Sequence, residues 1–350
     1  MLDAFGILVA VLPPDQTTRE RWVRQWSRAL SVAPVTAAHA TVDARTTAFG
    51  RDADSYDYSL TSRVTLAALE QTVGLRMNLH AAGLADEEGR AIVLIAASGT
   101  GKTIAARTLG TRLGYISDET VSVGARFDVL AYPKPLSVAI SADQVQGKSQ
   151  RSPDELGLLP GPAVSTLHRV VILDRSPGAG EPGLRLLPVT EALTLALPQT
   201  SFVTSFDSPL LELASILQAG GGPWLLTYDE IADHTDELCE LLSAPDEPLE
   251  TVVHHPGRAI PPHGSPGAYA RAPWTDAVQV EDVVVVLVQG NAFHLDFLGA
   301  TIWLALDRAG DLDRLVAAAE HTHGPHPDAV RLIEEALHSL RRSGIVMIIV

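Results

Sequence analysis

Residues Ala91–Thr103 read AIVLIAASGTGKT, and this stretch decides the fold. Ala91–Ala96 is a continuous apolar run, which is the pattern of a strand buried on both faces of a sheet. A glycine-containing turn follows at Ser98–Gly101, and the residues from Lys102 to about Arg112 are typical of a helix. This order of strand, turn and helix is the context of a phosphate-binding loop, so we predict an α/β fold.

The turn has the composition that binding of ATP requires. Glycines let backbone N–H groups turn toward phosphate oxygens, and the helix N-terminus adds a partial positive charge. Lys102 is expected to reach the β- and γ-phosphates, and the Thr103 hydroxyl to coordinate Mg²⁺. Ala96 stands where the usual motif has glycine, and a glycine-rich turn without a ligand is the alternative. The predicted nucleotide-binding residues are Ser98, Gly99, Thr100, Gly101, Lys102 and Thr103.

An acidic pair follows the loop at a spacing that suits phosphoryl transfer. Asp118 and Glu119 end the short predicted strand Tyr115–Ser117, at the edge where ligands bind in α/β sheets. One carboxylate would hold Mg²⁺ with Thr103, and the other would accept a proton from an attacking hydroxyl. Two alternatives stay open: the pair is simply solvated, or Asp174, after another apolar run, holds the metal.

The composition restricts the classes of function. The 350 residues include 26 Lys and Arg against 42 Asp and Glu, a net charge of −16, which excludes a protein devoted to nucleic-acid backbones. The single cysteine, Cys239, suits a reducing compartment. The apolar run Phe5–Leu12 is too short to cross a bilayer and lacks the basic flank of a signal peptide. We therefore expect a cytoplasmic protein without a membrane span.

Lysine is rare in this chain, and its distribution is uneven. Only Lys102, Lys134 and Lys148 occur among the 26 cationic residues, and all three lie in one stretch. A lysine retained where arginine is the usual choice indicates chemistry that arginine cannot replace.

Changes in composition divide the chain into four parts. We predict an N-terminal α+β segment at 1–75, a loop-bearing domain at 76–250, a Pro/Gly linker at 251–274 and a small domain at 275–350. Within the first two parts, helices are expected at Arg19–Leu30 and Thr65–Leu75, and a mobile surface loop at Gly147–Pro162.

The last part has the pattern of a small α+β domain. A strand at Val283–Val288 precedes helices at about Asp296–Leu306, Leu312–Ala319 and Asp328–Leu340, and an apolar segment ends the chain. Three helices flanked by strands in this length predict a winged-helix-like domain. This fold type invites DNA binding as an alternative, but residues 275–350 contain five arginines, no lysine and eleven acidic residues, a net charge of −6. DNA binding would need the opposite sign.

The central segment, about 70–250, resembles the HPr serine kinase family, including its relatives in the biosynthetic clusters of lasso peptides. The matching stretches are Leu79–Ala81, Ser98–Thr103, Gly114–Glu119 and Tyr132–Leu136. The resemblance implies an HPr-kinase-like nucleotide fold and transfer of a γ-phosphoryl group to a serine hydroxyl. By position, Lys102 and Thr103 would bind phosphate and Mg²⁺, Asp118 would be the catalytic base, and His80 would assist.

This chain departs from the family at two points. Active HPr kinases carry two aspartates where this chain has Asp118 and Glu119, and their downstream signature is not recognisable here. HPr itself is therefore not the expected substrate. The family forms hexamers, which makes a homo-oligomer the expected assembly.

The C-terminal residues resemble PqqD, the small domain that recognises leader peptides of ribosomally made, modified peptides (RiPPs). The matching stretches are Phe293–Asp296, Thr301–Leu306, Leu312–Ala319, Val330–Leu340 and Ser343–Val346. The resemblance implies a precursor peptide as partner, captured beside an edge strand. Other biosynthetic enzymes are further expected partners.

Three hypotheses follow from these patterns. The first is an ATP-dependent kinase of RiPP biosynthesis, with Asp118, His80 and Lys102 as catalytic residues and Thr103, Asp118 and Glu119 at Mg²⁺. The second is a precursor-recognition protein without catalysis, in which the nucleotide site is regulatory or a relic. The third is a kinase of a free metabolite with an appended regulatory domain.

Overall fold

A computed structural model describes residues 1–46, 49, 52–139, 148–176, 178, 182–260 and 263–350. The chain divides into two compact units. The first comprises Met1–Leu187, Pro198–Ser205 and Gln218–Pro248, and the second comprises Pro188–Leu197, Phe206–Leu217 and Leu249–Val350. Two short stretches that the sequence analysis placed in the loop-bearing domain, 188–197 and 206–217, therefore group with the C-terminal residues.

The described residues contain the following regular elements. The helices are α1 (Gln16–Gln25), α2 (Ala53–Glu70), α3 (Lys102–Leu109), α4 (Val189–Ala196), α5 (Pro209–Leu217), α6 (Thr235–Leu241), α7 (Phe297–Ala305), α8 (Leu312–His323) and α9 (Ala329–Arg342). The strands are β1 (Leu2–Ala4), β2 (Ile7–Leu12), β3 (Ala40–Asp43), β4 (Met77–Leu79), β5 (Ala81–Ala85), β6 (Arg90–Ile95), β7 (Gly114–Ser117), β8 (Val121–Val123), β9 (Asp128–Leu130), β10 (Leu136–Ala139), β11 (Lys148–Arg151), β12 (Val164–Arg175), β13 (Gly183–Leu186), β14 (Thr200–Ser201), β15 (Trp224–Tyr228), β16 (Val253–Arg258), β17 (Tyr269–Arg271), β18 (Trp274–Val280), β19 (Val283–Val288), β20 (Asn291–Leu295) and β21 (Val346–Ile348). In this part of the chain, no helix combines the length and the apolar character that crossing a bilayer requires.

The first unit is built on a ten-stranded mixed sheet, which confirms the expected α/β class. Strand β6 has β12 as its parallel neighbour on one side and β5 as its antiparallel neighbour on the other. The residues of β6 from Ala91 to Ile95 are fully buried, as the apolar run predicts. The chain then enters α3 at Lys102, and α3 buries Ala105 and Leu109 in the core of this unit.

The N-terminal segment belongs to the same unit. Strands β1, β2 and β3 form a three-stranded sheet, and Trp22 and Trp26 of the predicted first helix are buried beneath it. The ring of Phe5 meets the ring of Tyr132 edge-on at 5.3 Å between centroids. The N-terminal segment therefore packs on the part of the chain that carries the loop.

The second helix of this segment was predicted with wrong bounds. Instead of Thr65–Leu75, the structure has Ala53–Glu70 as α2. Asp52 accepts a hydrogen bond from the backbone N–H of Ser55, whose hydroxyl accepts one from the N–H of Asp52, so a capping box starts the helix. Polar residues inside α2, including the buried Asp57, weaken the apolar period on which the prediction relied.

The expected loop at Gly147–Pro162 is wrong for Lys148–Arg151, which form strand β11. Strand β11 pairs with β10 in an antiparallel hairpin that places Lys148 opposite Ala139. Gln150 is buried, and its amide donates to the Ser137 hydroxyl at 2.8 Å. Because β11 is polar, its composition does not predict a strand, although its buried Gln150 side chain is hydrogen-bonded. Gly147 lies outside the described residues.

The second unit has a four-stranded antiparallel sheet in the order β16-β18-β19-β20. In chain order, β18, β19 and β20 are followed by α7, α8 and α9, close to the strand and helices predicted here. Trp303 is fully buried in the core and meets Trp274 edge-on at 5.6 Å. Strand β16 lies within the predicted linker. Membership of the winged-helix-like PqqD type stays a prediction.

Candidate nucleotide site

Two glycines of the loop have left-handed backbone angles. Gly99 and Gly101 have φ angles of +85° and +108°, where a side chain would be strained. A Cβ on Gly99 would meet no atom within 4 Å, so the space beside the loop is open. The Tyr228 hydroxyl donates to the carbonyl of Thr100 at 2.8 Å and holds the turn against β15. Gly101 then starts α3 without a side-chain cap among the described residues.

Lys102 lies folded over its own loop. Its ammonium donates to the carbonyls of Ala96 and Ala97 at 2.6 and 3.0 Å, and the residue is 7% exposed. Burial lowers the pKa of Lys102 to about 8, although the negative charges of Asp118 and Glu119 oppose this change. The ammonium is bonded to carbonyls that it would exchange for phosphate oxygens.

The predicted hydroxyl and the predicted acid lie side by side. The Thr103 Oγ1 donates to Asp118 Oδ2 at 3.0 Å. The other oxygen of Asp118 accepts from the Tyr115 hydroxyl at 3.1 Å. Asp174, the competing candidate for the metal, is exposed and bonds to the Ser176 hydroxyl at 2.6 Å. The geometry therefore favours Asp118 as the acid nearest to the loop.

Lys134 holds both members of the acidic pair. Its Nζ lies 2.8 Å from Asp118 Oδ1 and 3.1 Å from Glu119 Oε2, and it donates to the carbonyl of Pro135 at 3.0 Å. Burial alone lowers the pKa of Lys134, but attraction to the two carboxylates outweighs burial and raises it. The Asp118 side chain is buried, whereas that of Glu119 is 34% exposed. Glu119 is thus the more accessible carboxylate.

His80 lies at the side of the same site. Its Nδ1 is 3.1 Å from the carbonyl oxygen of Glu119, and its backbone N–H donates to the carbonyl of Gln199 at 2.6 Å. Burial lowers the pKa of His80, and the charge of Lys102 lowers it further. The lowered pKa favours the neutral imidazole, which is the form that can accept a proton.

These residues line one open cavity of about 410 Å³. Loop residues, His80 and the acidic pair share it with all three lysines of the chain. Several lining residues were not predicted from the sequence. They are Tyr58, Ile104, Arg107, Ser137, Val138 and Ala139. Tyr58 comes from α2, and its distance along the chain from the motif leaves no signal in the sequence. Arg107 follows Thr103 by one helical turn, so the helix period could have found it.

The donor set fits Mg²⁺ bound together with phosphate. Thr103 and Asp118 offer hydroxyl and carboxylate oxygens, which Mg²⁺ prefers. Within the described ranges, no group of three or more His, Cys, Asp or Glu residues could hold a metal ion alone. Mg²⁺ in such sites takes few protein ligands and completes its shell with water and phosphate oxygens.

No family model matches the chain, and no curated protein does. Among solved structures, the chain is similar to the HPr(Ser) kinase/phosphatase from Coxiella burnetii, with 11% identity and a TM-score of 0.29. The similarity covers 47% of this chain and 93% of that chain. At this TM-score the similarity assigns no role to any residue, so the roles below depend on the geometry of the site.

Proposed function

We propose that the chain is an ATP-dependent kinase of HPr-kinase-like fold that phosphorylates a hydroxyl group of a ribosomally made precursor peptide. The observation that carries the proposal is the 3.0 Å hydrogen bond between Thr103 and Asp118. It sets the hydroxyl at the end of the phosphate loop against a carboxylate, with Lys102 beside both in one cavity. A cytoplasmic location and an assembly of several copies stay predictions.

Each charged residue has a distinct task in this reaction. The acceptor oxygen forms a bond to the γ-phosphorus, the bond from that phosphorus to the β-phosphate oxygen breaks, and ADP leaves. Lys102 stabilises the phosphate charge, and Thr103 and Asp118 hold Mg²⁺. Bound Mg²⁺ would neutralise charge that develops on the phosphate oxygens. The acceptor proton passes to a carboxylate.

We infer the identity of that carboxylate from accessibility. The family resemblance assigns the base to Asp118, but its two oxygens accept bonds from Thr103, Tyr115 and Lys134. Glu119 is one-third exposed and lines the cavity. A general base must reach the proton that it removes, so we assign this task to Glu119 and the metal to Asp118.

The second unit would hold the leader segment of the precursor. Strand β20 is at the end of its sheet, where an added peptide strand finds unpaired backbone groups. Directly after β20, Phe297 is 69% exposed and lines an apolar groove of about 340 Å³ with Leu298, Leu332 and Ile333. Edge strand and groove together offer backbone pairing and pockets for side chains. A held leader raises the local concentration of the acceptor hydroxyl.

Mass spectrometry of a precursor peptide tests the proposal. The intact protein is incubated with Mg·ATP and a short peptide encoded beside its gene. We expect a mass increase of one phosphoryl group on the peptide, lost with Lys102→Ala. Thr111→Ala, at an exposed position after α3, is the matched control and should not change the yield. An unmodified peptide with the parent protein would overturn the kinase proposal.

One observation favours the second candidate, a recognition protein without catalysis. The ammonium of Lys134 is paired with both carboxylates that phosphoryl transfer would use. In that case a relic nucleotide site would leave the affinity for the peptide independent of ATP, whereas a regulatory site would change it. No phosphorylated product would form in either case. The peptide experiment above separates the two functions, because both predict binding and only one predicts phosphate transfer.

A further inference from the structure

We propose that Arg107 and Lys148 form a second anion site in the cavity, which binds a carboxylate or phosphate group of the acceptor beside its reactive hydroxyl. The inference depends on the proposed function, because it concerns the acceptor of that same reaction. The inference specifies the class of substrate, because the acceptor would carry an acidic group and would not be neutral.

The placement of the lysines is the first observation. The chain has three lysines in 350 residues and a net charge of −16, yet all three lysines line this one cavity. Arg107 adds a fourth cation to the same lining. Asp118 and Glu119 line the same cavity, so the four cations outnumber the two acids. This excess of positive charge in an acidic protein raises the local concentration of anionic ligands.

The second observation concerns the groups to which each of these four cations is bonded. Lys134 is paired with two carboxylates, and Lys102 is bonded to loop carbonyls. Arg107 and Lys148 are both exposed and have no side-chain partner within the ranges that the structure describes. Two cations in a cavity are thereby free to bind an anion without first breaking an ion pair.

The third observation is their position relative to the loop. Arg107 follows Thr103 by four residues on α3, about 6 Å along the helix axis from the residue expected at Mg²⁺. Lys148 lies opposite Ala139 in the hairpin of β10 and β11, and β10 packs beside α3. Neither residue belongs to the glycine cradle. An anion held here is separate from the phosphates that the loop N–H groups bind.

The scarcity of lysine makes a direct experiment feasible. The intact protein is acylated with N-hydroxysuccinimidyl acetate, and the modification of each lysine is followed by peptide mass spectrometry. Lys148 reports the second site, and Lys102 reports the loop. The probes are inorganic phosphate and N-acetylaspartate, each added after Mg·ADP has saturated the loop.

We expect Mg·ADP to slow acylation of Lys102 and to leave Lys148 reactive. Added phosphate or N-acetylaspartate should then slow acylation of Lys148 at least fivefold. Arg107→Ala should abolish this protection, whereas Arg24→Ala, which removes an exposed cation from α1, should leave it unchanged.

Two results would overturn the inference. If Mg·ADP alone protects Lys148 fully, Arg107 and Lys148 bind the nucleotide and not the acceptor. If neither probe protects Lys148 beyond Mg·ADP, there is no second anion site. A failure of Mg·ADP to protect Lys102 would instead count against the proposed nucleotide function, so the two failures can be told apart.

Discussion

The ammonium nitrogen of Lys134 lies 2.8 Å from a carboxylate oxygen of Asp118, and both side chains are buried. The same nitrogen is 3.1 Å from Glu119. A lysine fits between two carboxylates as a compact charge with three donors, whereas the planar guanidinium of arginine presents a fixed fork. This chemistry explains why a chain that otherwise uses arginine retains lysine at position 134. Because these ion pairs are part of the folded structure, the stability of the fold depends on Asp118 and Glu119.

Removal of this charge is expected to destabilise the protein. Lys134→Met leaves Asp118 and Glu119 close together without a cation, and breaking a buried pair costs about 3 kcal/mol. Urea denaturation measures the loss. Lys148→Met is the matched control at an exposed position and should change the free energy of unfolding by less than about 0.5 kcal/mol. Equal stability of the two variants would contradict the structural account of Lys134.

Nucleotide binding should weaken at alkaline pH. The pKa of Lys102 is lowered by burial to about 8, so the free protein loses this charge as the pH rises through that value. Phosphate binds the charged form, and the affinity for Mg·ATP should fall about tenfold between pH 7 and pH 9. Titration calorimetry at several pH values measures this. A constant affinity across the range would refute the assigned contact between Lys102 and phosphate.

Substitutions of Glu119 and Asp118 should have different effects on nucleotide binding and phosphate transfer. Glu119→Gln keeps the contacts of Asp118, so Mg·ATP affinity should stay within about twofold while phosphate transfer falls about 100-fold or more, as expected for loss of a general base. Asp118→Asn should instead raise the Mg²⁺ concentration needed for nucleotide binding. If Asp118→Asn abolishes transfer without weakening nucleotide binding, and Glu119→Gln raises the Mg²⁺ requirement, Asp118 is the general base.

The phosphate loop could be predicted from sequence because all of its signals are local. The apolar run Ala91–Ala96, the glycines and Lys102 lie within a dozen residues. The contact of Lys134 with the acidic pair could not be predicted in this way, because Lys134 lies in the connection between β9 and β10, far along the chain from the acids that follow β7. The location of Tyr58 in the cavity depends likewise on how α2 packs. Strand β11 was not predicted because its buried Gln150 is polar, and the hydrogen bonds of this side chain are made with Ser137 and with the distant Thr61.

The apolar groove of the second unit provides a test of peptide recognition. Phe297→Asp introduces a charge at an exposed position of the groove, so the protein should fold normally and bind the leader peptide at least tenfold more weakly. Val330→Asp changes an exposed residue of α9 outside the groove lining and is the matched control. Fluorescence anisotropy of a labelled leader peptide measures both. Equal affinities of the two variants would locate the peptide elsewhere.

Calorimetric titration of the intact protein with Mg·ATP tests the central claim most directly. We predict one binding event per chain at pH 7, reduced at least 100-fold by Lys102→Ala and unchanged by Arg24→Ala. Absence of binding to the parent protein, or equal binding to the Lys102→Ala variant, would contradict the assignment of residues 98–103 as a phosphate-binding loop.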